Sequence, residues 1–142
     1  MVKFEGKWKY QSYRPDAGSI AAGPTPPTFV SWSPPGEVTI DEGGTTGKLE
    51  FKVPAIKLDL KIQVTEGNPG GLSISAAMKL PGDKQFANDS QGWFVPAKLE
   101  QEVGKDNPLV VRGSIVQTSE DIAQKKPQPM YTTGFFVLEP LQ

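Results

Sequence analysis

The sequence predicts an all-β protein, an antiparallel up-and-down barrel of about eight strands. Three observations lead to this prediction. Apolar and polar residues alternate over several segments, as they do in strands with one buried face. The chain has 142 residues, of which 15 are Gly and 14 are Pro, which argues against a helical bundle. Short turns join neighbouring strand candidates, which favours an up-and-down barrel over a β-sandwich with crossing connections.

The clearest alternation lies in the middle of the chain, where three segments place apolar side chains at every second position. These segments are Lys48 to Val53, Ile56 to Val64 and Leu72 to Leu80. A period of two predicts half-buried strands. Turn residues separate the strands at 54–55 and 67–71, and a further connection is expected over 81–92. Strands and turns in this succession predict a meander.

Six further segments are bounded by Gly, Pro or Asn/Asp clusters and are also expected to be strands. They are Lys7 to Tyr13, Phe29 to Ser33, Glu37 to Glu42, Trp93 to Glu102, Leu109 to Thr118 and Met130 to Glu139. The total is therefore eight or nine strands. The last three are apolar on both faces, so their outer side is expected to be covered by a subunit contact, a lid or a crossing sheet.

Helix is nearly absent from the predicted fold. At most one short helix is expected near 118–126, where hydroxyls and acids come first, lysines follow, and Pro127 comes next. The segment 15–28 has four prolines and no strand pattern, and a loop of that length is either functional or disordered. The Gly-rich segment 41–47 lacks the ligand spacing of phosphate and calcium loops, which predicts a hairpin loop.

The first strand begins with Gly6-Lys7-Trp8. This motif resembles the Gly-x-Trp opening of the calycin-type barrels, the lipocalins and avidins. The resemblance implies a calycin-like barrel in which Trp8 closes one end. The sequence departs from the lipocalin pattern, because no Thr-Asp-Tyr motif is present and 134–142 lacks the arginine that this family packs on its tryptophan. Arg14 or Arg112 would have to take that place.

Composition excludes several classes of function. The chain has no Cys and no His, which removes thiol nucleophiles, imidazole bases, Ser/His/Asp triads and Cys/His zinc sites. A net charge of −1 provides no long-range attraction for nucleic acid. No segment approaches the length of a membrane span, and the N-terminus lacks a secretory signal. We therefore expect one domain over 1–142 in the cytoplasm, with no metal and no cofactor.

A small set of side chains is expected to contact a ligand, and no residue is expected to be catalytic. The set is Tyr10, Trp32, Trp93, Arg112 and Tyr131. Aromatic side chains line most small-molecule sites, arginine binds carboxylates or phosphates, and tyrosine hydroxyls orient ligands. The alternative is that the aromatic side chains fill the core or a barrel end, and that Arg112 is solvated on the outer face.

The function that the sequence favours is a barrel that binds a small hydrophobic or amphipathic molecule, with the 15–28 loop as its lid. Two alternatives remain open. One is a structural domain with a filled barrel, which forms a homodimer through its C-terminal strands. The other is a barrel cyclase that acts by shape and needs no His or Cys. Cavity volume separates a binder from a filled barrel, and small residues such as Ala76 predict that space remains inside.

Overall fold

A computed structural model of the chain describes residues 4–16, 28–53, 55–80, 84–119 and 132–141. These residues form nine β-strands. The strands are β1 (Gly6–Pro15), β2 (Phe29–Ser31), β3 (Gly36–Ile40), β4 (Thr46–Phe51), β5 (Ile56–Thr65), β6 (Gly71–Leu80), β7 (Lys84–Pro96), β8 (Leu109–Gln117) and β9 (Thr133–Pro140). Within these ranges there is no helix of the length and apolar character needed to cross a membrane.

Eight of these strands close into an antiparallel barrel. Each strand from β3 to β9 pairs with its neighbour in the sequence, and β1 completes the ring by pairing with both β3 and β9. Closure leaves no free sheet edge around the ring, which is how barrels avoid pairing with other chains. The predicted up-and-down barrel is therefore confirmed. The predicted helix near 118–126 and the 15–28 loop lie mostly outside the described residues.

Alternation decides which side chains enter the barrel. In β4 and β5, Leu49, Leu58, Leu60 and Ile62 are buried in the core. The charged residues next to them in the sequence are exposed, namely Glu50, Lys57, Asp59 and Lys61. Burying one such aliphatic side chain contributes about 1.5–3 kcal/mol to stability. The same alternation on the remaining strands directs further apolar side chains into the barrel. Together these side chains form one continuous apolar core.

The short strand β2 and the strand β3 lie on the same side of β1 and are separated by a bulge. Tyr10 of β1 lies opposite Gly36, and Tyr13 lies opposite Ser31. Two residues of β1 therefore face the four residues 32–35, which we call the 32–35 bulge. Two of these four are prolines, which have no N–H to donate to a neighbouring strand. The sequence thus interrupts the ladder at this point.

The connection between β3 and β4 is the hairpin loop that the sequence predicts. The Asp41 N–H donates to the Thr46 carbonyl at 2.9 Å, and the Gly44 N–H donates to the Asp41 carbonyl at 2.9 Å. Gly43 and Gly44 have φ angles of 95° and 72°. This left-handed conformation strains residues that carry a Cβ, which explains two glycines in a row.

The predicted position of β7 was wrong. A connection was expected over 81–92 and a strand over Trp93 to Glu102, but β7 spans Lys84–Pro96. The polar segment before Gly92 lacks the alternation of apolar and polar residues that predicts a strand. It forms one because it pairs with β6 on one side and β8 on the other. Residues 97–102 instead belong to a loop that is organised around the buried side chain of Asn107.

Candidate functional site

The two ends of the barrel are built differently, and one of them is filled by aromatic side chains. The ring centroids of Phe4 and Trp8 are 5.2 Å apart, and those of Phe4 and Phe94 are 5.6 Å apart. The indole Nε1 of Trp8 donates a hydrogen bond to the Phe4 carbonyl at 3.0 Å. All three side chains are buried. They occupy the interior where β1 begins and β7 ends.

The opposite end contains a cavity of about 210 Å³. It lies where β1, β4, β6 and β8 end and where β5 and β7 begin, so its lining comes from most of the barrel. The lining residues are Tyr10, Ser12, Trp32, Ser33, Pro34, Leu49, Phe51, Ile56, Leu58, Met78, Phe86, Asn88, Ile115 and Gln117. Apolar walls with a few polar groups are typical of small-molecule sites.

The walls combine buried and half-buried apolar side chains. Leu49, Leu58 and Ile115 belong to the buried core and separate the cavity from the filled end. Phe51, Ile56, Met78 and Phe86 are only partly buried and pack against that core. Their inward faces line a space that the described side chains leave open.

The 32–35 bulge is held against this end of the barrel by hydrogen bonds to β1. The Trp32 N–H donates to the Ser12 carbonyl at 3.0 Å. The Gln11 side chain donates to the Ser33 carbonyl at 2.7 Å, and the Ser12 hydroxyl donates to the Ser33 hydroxyl at 2.9 Å. The interruption of the ladder therefore places Trp32, Ser33 and Pro34 on the wall of the cavity.

The polar groups on the cavity are all uncharged. They are the hydroxyls of Tyr10, Ser12 and Ser33, the amides of Asn88 and Gln117 and the indole N–H of Trp32. No Asp, Glu, Lys or Arg occurs among the described lining residues. Since an unpaired charge is costly to bury away from water, this lining suits a neutral molecule.

Gln117 is the most constrained of these polar groups. Its side chain is 1% exposed, and its Nε2 donates to the Ser119 carbonyl at 2.5 Å. Ser119 is itself fixed, because its hydroxyl accepts a hydrogen bond from the Ala87 N–H at 2.6 Å. Reversing the Gln117 amide would bring two carbonyl oxygens together, so the Oε1 atom has a defined position. Within the described part of the chain, nothing donates a hydrogen bond to that atom.

Tyr10 is buried between the core and the cavity. Its ring lies 6.1 Å from that of Phe51 and 6.4 Å from that of Phe136, measured between centroids. Burial raises the pKa of its hydroxyl to about 12, and a hydrogen bond with the Ser12 side chain only partly opposes this rise. At neutral pH the hydroxyl is therefore protonated and able to donate a hydrogen bond.

The structure separates the residues that the sequence suggested for ligand contact. Tyr10 and Trp32 both line the cavity. Trp93 and Arg112 lie opposite each other on β7 and β8, and they line a different groove on the outer face. Trp93 is 49% exposed, and Arg112 donates to the carbonyls of Pro96 and Ala97 at 3.1 and 2.8 Å. Tyr131 lies outside the described residues.

Sequence reasoning missed Gln117. A signal was present, because the residue falls on the same side of β8 as Val111 and Ile115, both of which are buried. A polar amide at an inward position of an apolar strand indicates either a local hydrogen-bond partner or a ligand.

The described residues contain no group of three or more acidic side chains placed to hold a metal ion. Comparisons with protein-family models, with curated proteins and with solved structures found no match to this chain. The case for a function therefore depends on the geometry of the cavity and on its lining.

Proposed function

We propose that this chain binds one small, neutral, largely apolar molecule in the cavity. The observation that carries the proposal is the contrast between a filled end and an end with a space of about 210 Å³ in the same barrel. An engineered cavity of about 150 Å³ lined by Leu, Ile and Phe binds benzene. By proportion, the space here suits a ligand of about eight to ten non-hydrogen atoms.

The lining supports this proposal over a barrel that is filled by its own side chains. Apolar walls would stabilise a bound ligand by about 0.8 kcal/mol for each CH₂ group removed from water. We assign Tyr10 and Trp32 as ligand contacts, the first deep in the cavity and the second at its mouth. The proposal gives Trp93 and Arg112 no contact with this ligand.

The chemistry of Tyr10 favours binding over acid–base catalysis. It is the one ionisable side chain among the described residues that line the cavity. With a pKa of about 12, it is not deprotonated at neutral pH and cannot act there as a general base. It can still orient a ligand by donating a hydrogen bond.

We also propose that the barrel is calycin-like. The position of Trp8 at the filled end agrees with what the Gly6-Lys7-Trp8 resemblance implies. Neither Arg14 nor Arg112 supports the further lipocalin feature of an arginine on that tryptophan. Each guanidinium group instead donates to backbone carbonyls, at Pro15 for Arg14 and at Pro96 and Ala97 for Arg112.

Fluorobenzene is a suitable first probe, because it is apolar, neutral and small enough for the cavity. Its fluorine NMR signal, titrated with the protein, reports saturable binding directly. Ile56→Phe adds volume at a lining position that is only half-buried, so the larger ring can enter the cavity without overpacking the core. Val64→Phe, at the other end of β5 where residue 64 is exposed, adds the same ring away from the cavity.

We expect wild type and Val64→Phe to bind fluorobenzene with equal affinity, and Ile56→Phe to bind it at least tenfold more weakly. No saturable binding by the wild-type protein would overturn the proposal. Equal weakening in both variants would also overturn it, because the probe would then not occupy this cavity. The wild-type titration decides the first point even where a variant fails to fold.

A further inference from the structure

A second concavity lies on the outer face of the barrel, where β7 and β8 meet the loop that follows β7. It is an open groove of about 620 Å³, which we call the Trp93 groove. Its lining includes Pro69, Trp93, Lys98, Leu99, Glu100 and Arg112. None of these residues lines the cavity inside the barrel, so the groove is separate from that cavity.

Trp93 provides a flat apolar surface in this groove. In the sheet it lies between Gly71 of β6 and Arg112 of β8. Because Gly71 has no side chain, the indole packs over it, with Nε1 3.9 Å from the position that a Cβ on residue 71 would occupy. About half of Trp93 remains exposed, and Leu99 beside it is mostly exposed. The ring is therefore available to stack against the ring of a ligand.

Arg112 provides a cation that the protein uses only in part. Its Nη1 and Nη2 atoms donate to the carbonyls of Pro96 and Ala97, which fixes the position of the guanidinium group. No described carboxylate forms an ion pair with it. Among the described residues its Nε atom has no hydrogen-bond partner, and that atom is not buried. A fixed guanidinium with unused N–H groups is suited to bind a planar carboxylate.

The other charges of the groove also favour an anion. Lys98 is exposed and, like Arg112, forms no ion pair with a described side chain. Glu100 is the one acidic residue among the described lining residues, so the groove carries two cationic side chains and one anionic side chain. The lining of the cavity inside the barrel carries no charge. A carboxylate is therefore expected to bind in the groove and not in the cavity.

We infer that the Trp93 groove binds a small aromatic carboxylate, whose ring stacks on Trp93 and whose carboxylate accepts hydrogen bonds from Arg112. The inference goes beyond the proposed function, because it concerns a different site and a charged class of ligand. A neutral aromatic compound would lose the charge-assisted hydrogen bonds, and an aliphatic carboxylate would lose the stacking. Since the groove is open to water, a ligand of this size binds with a dissociation constant in the millimolar range.

Two compounds of nearly equal shape test the inference by fluorine NMR. They are para-fluorophenylacetate, which is anionic at neutral pH, and para-fluorophenylacetamide, which is neutral. We expect the wild-type protein to bind the acetate saturably and at least about fivefold more tightly than the amide, because hydrogen bonds to a charged group are the stronger ones. An excess of fluorobenzene is expected to leave the acetate bound, because that probe is chosen for the cavity.

Variants assign the two contacts. Trp93→Leu removes the stacking surface and Arg112→Gln removes the guanidinium group, and each is expected to weaken binding of the acetate at least about fivefold. Lys61→Gln is the matched control for the lost positive charge. Lys61 is exposed on β5 and lines neither the groove nor the cavity. We expect Lys61→Gln to bind the acetate as tightly as the wild-type protein does.

Several outcomes would overturn this inference. They are no saturable binding of the acetate, equal affinity for the acetate and the amide, and displacement of the acetate by fluorobenzene. Equal weakening in Arg112→Gln and Lys61→Gln would also overturn it, because the protein would then attract the anion through its net charge alone. None of these outcomes decides the proposed function, which the fluorobenzene titration tests separately. The comparison of the two compounds on wild-type protein gives a decision even if Arg112→Gln does not fold.

Discussion

The ring of Phe136 lies directly against Gly92, with its Cζ atom 3.0 Å from the position that a Cβ on residue 92 would occupy. Gly92 of β7 pairs with Gly113 of β8, which in turn pairs with Phe136 of β9. The ring is fully buried. The space beside Gly92 is therefore filled by the Phe136 ring, and Gly92 does not contribute open volume to the barrel.

This packing predicts that Gly92→Ala is destabilising. The added methyl group would meet the Val111 side chain at 2.9 Å and the Arg112 carbonyl at 3.0 Å, besides Phe136. Overpacking of this kind lowers the free energy of unfolding by about 1–3 kcal/mol, measurable by urea denaturation. Gly104→Ala is the control, since no atom beyond the adjacent residues lies within 4 Å of its Cβ position. Equal stability of the two variants would contradict the close approach.

Much of the fold could be predicted because most strands have one apolar face. The segment that became β5 alternates over its whole length, and the structure buries Leu58, Leu60 and Ile62 as the alternation requires. The first part of β7 could not be predicted in this way. Its Asn, Asp, Ser and Gln residues have low strand propensity, and they are extended because strands on both sides pair with them.

The site was less predictable than the fold, for a physical reason. In β8 both faces carry apolar residues. The alternation therefore does not show whether the odd-numbered residues, which include Val111, or the even-numbered residues, which include Val110, point into the barrel. The loop that follows β7 covers part of the outer face, and Val110 is buried there although it lies outside the core cluster. Arg112 shares that outer face. Which set faces inward depends on contacts between distant parts of the chain.

Trp8 and Trp93 are expected to respond differently to the same substitution. Trp8→Phe removes the hydrogen bond to the Phe4 carbonyl and leaves space at the filled end, which lowers the free energy of unfolding by about 2–4 kcal/mol. Trp93→Phe changes a half-exposed side chain and is expected to cost less than about 0.5 kcal/mol. Guanidinium denaturation followed by circular dichroism measures both. Similar losses would show that Trp8 does not anchor this end.

Asn107 is predicted to hold the loop between β7 and β8. Its Oδ1 accepts from the Lys98 N–H at 2.6 Å, and its Nδ2 lies 3.2 to 3.3 Å from the carbonyls of Lys98, Gln101 and Glu102. Asn107→Asp keeps the shape but replaces the donor with a second acceptor facing those carbonyls. We expect the protein to lose about 2 kcal/mol or more of stability at neutral pH.

Amide hydrogen exchange at Lys98 provides a local measurement of the same effect, because exchange there accelerates when the loop opens. Gln63→Glu controls for the added negative charge, since Gln63 is exposed on β5. Unchanged exchange at Lys98 in Asn107→Asp would show that the loop is held by other contacts.

The buried hydroxyl of Tyr10 predicts a loss of stability at high pH. Its pKa rises from the ordinary 10.0 to about 12 in the folded protein, mainly because burial disfavours the phenolate. The folded state therefore keeps a proton that the unfolded state releases above pH 10. The stabilising contribution is complete below pH 10 and is lost as the pH rises through 12.

The Tyr10→Phe variant isolates this contribution. Two units of pKa correspond to about 2–3 kcal/mol, so the free energy of unfolding of wild type relative to Tyr10→Phe is expected to fall by that amount between pH 9 and pH 12. The other titrating groups are common to both proteins, so their effects cancel in the difference. Denaturant titrations at intervals of half a pH unit measure it. A difference that stays constant over this range would mean that the Tyr10 hydroxyl ionises as readily in the folded protein as in the unfolded chain.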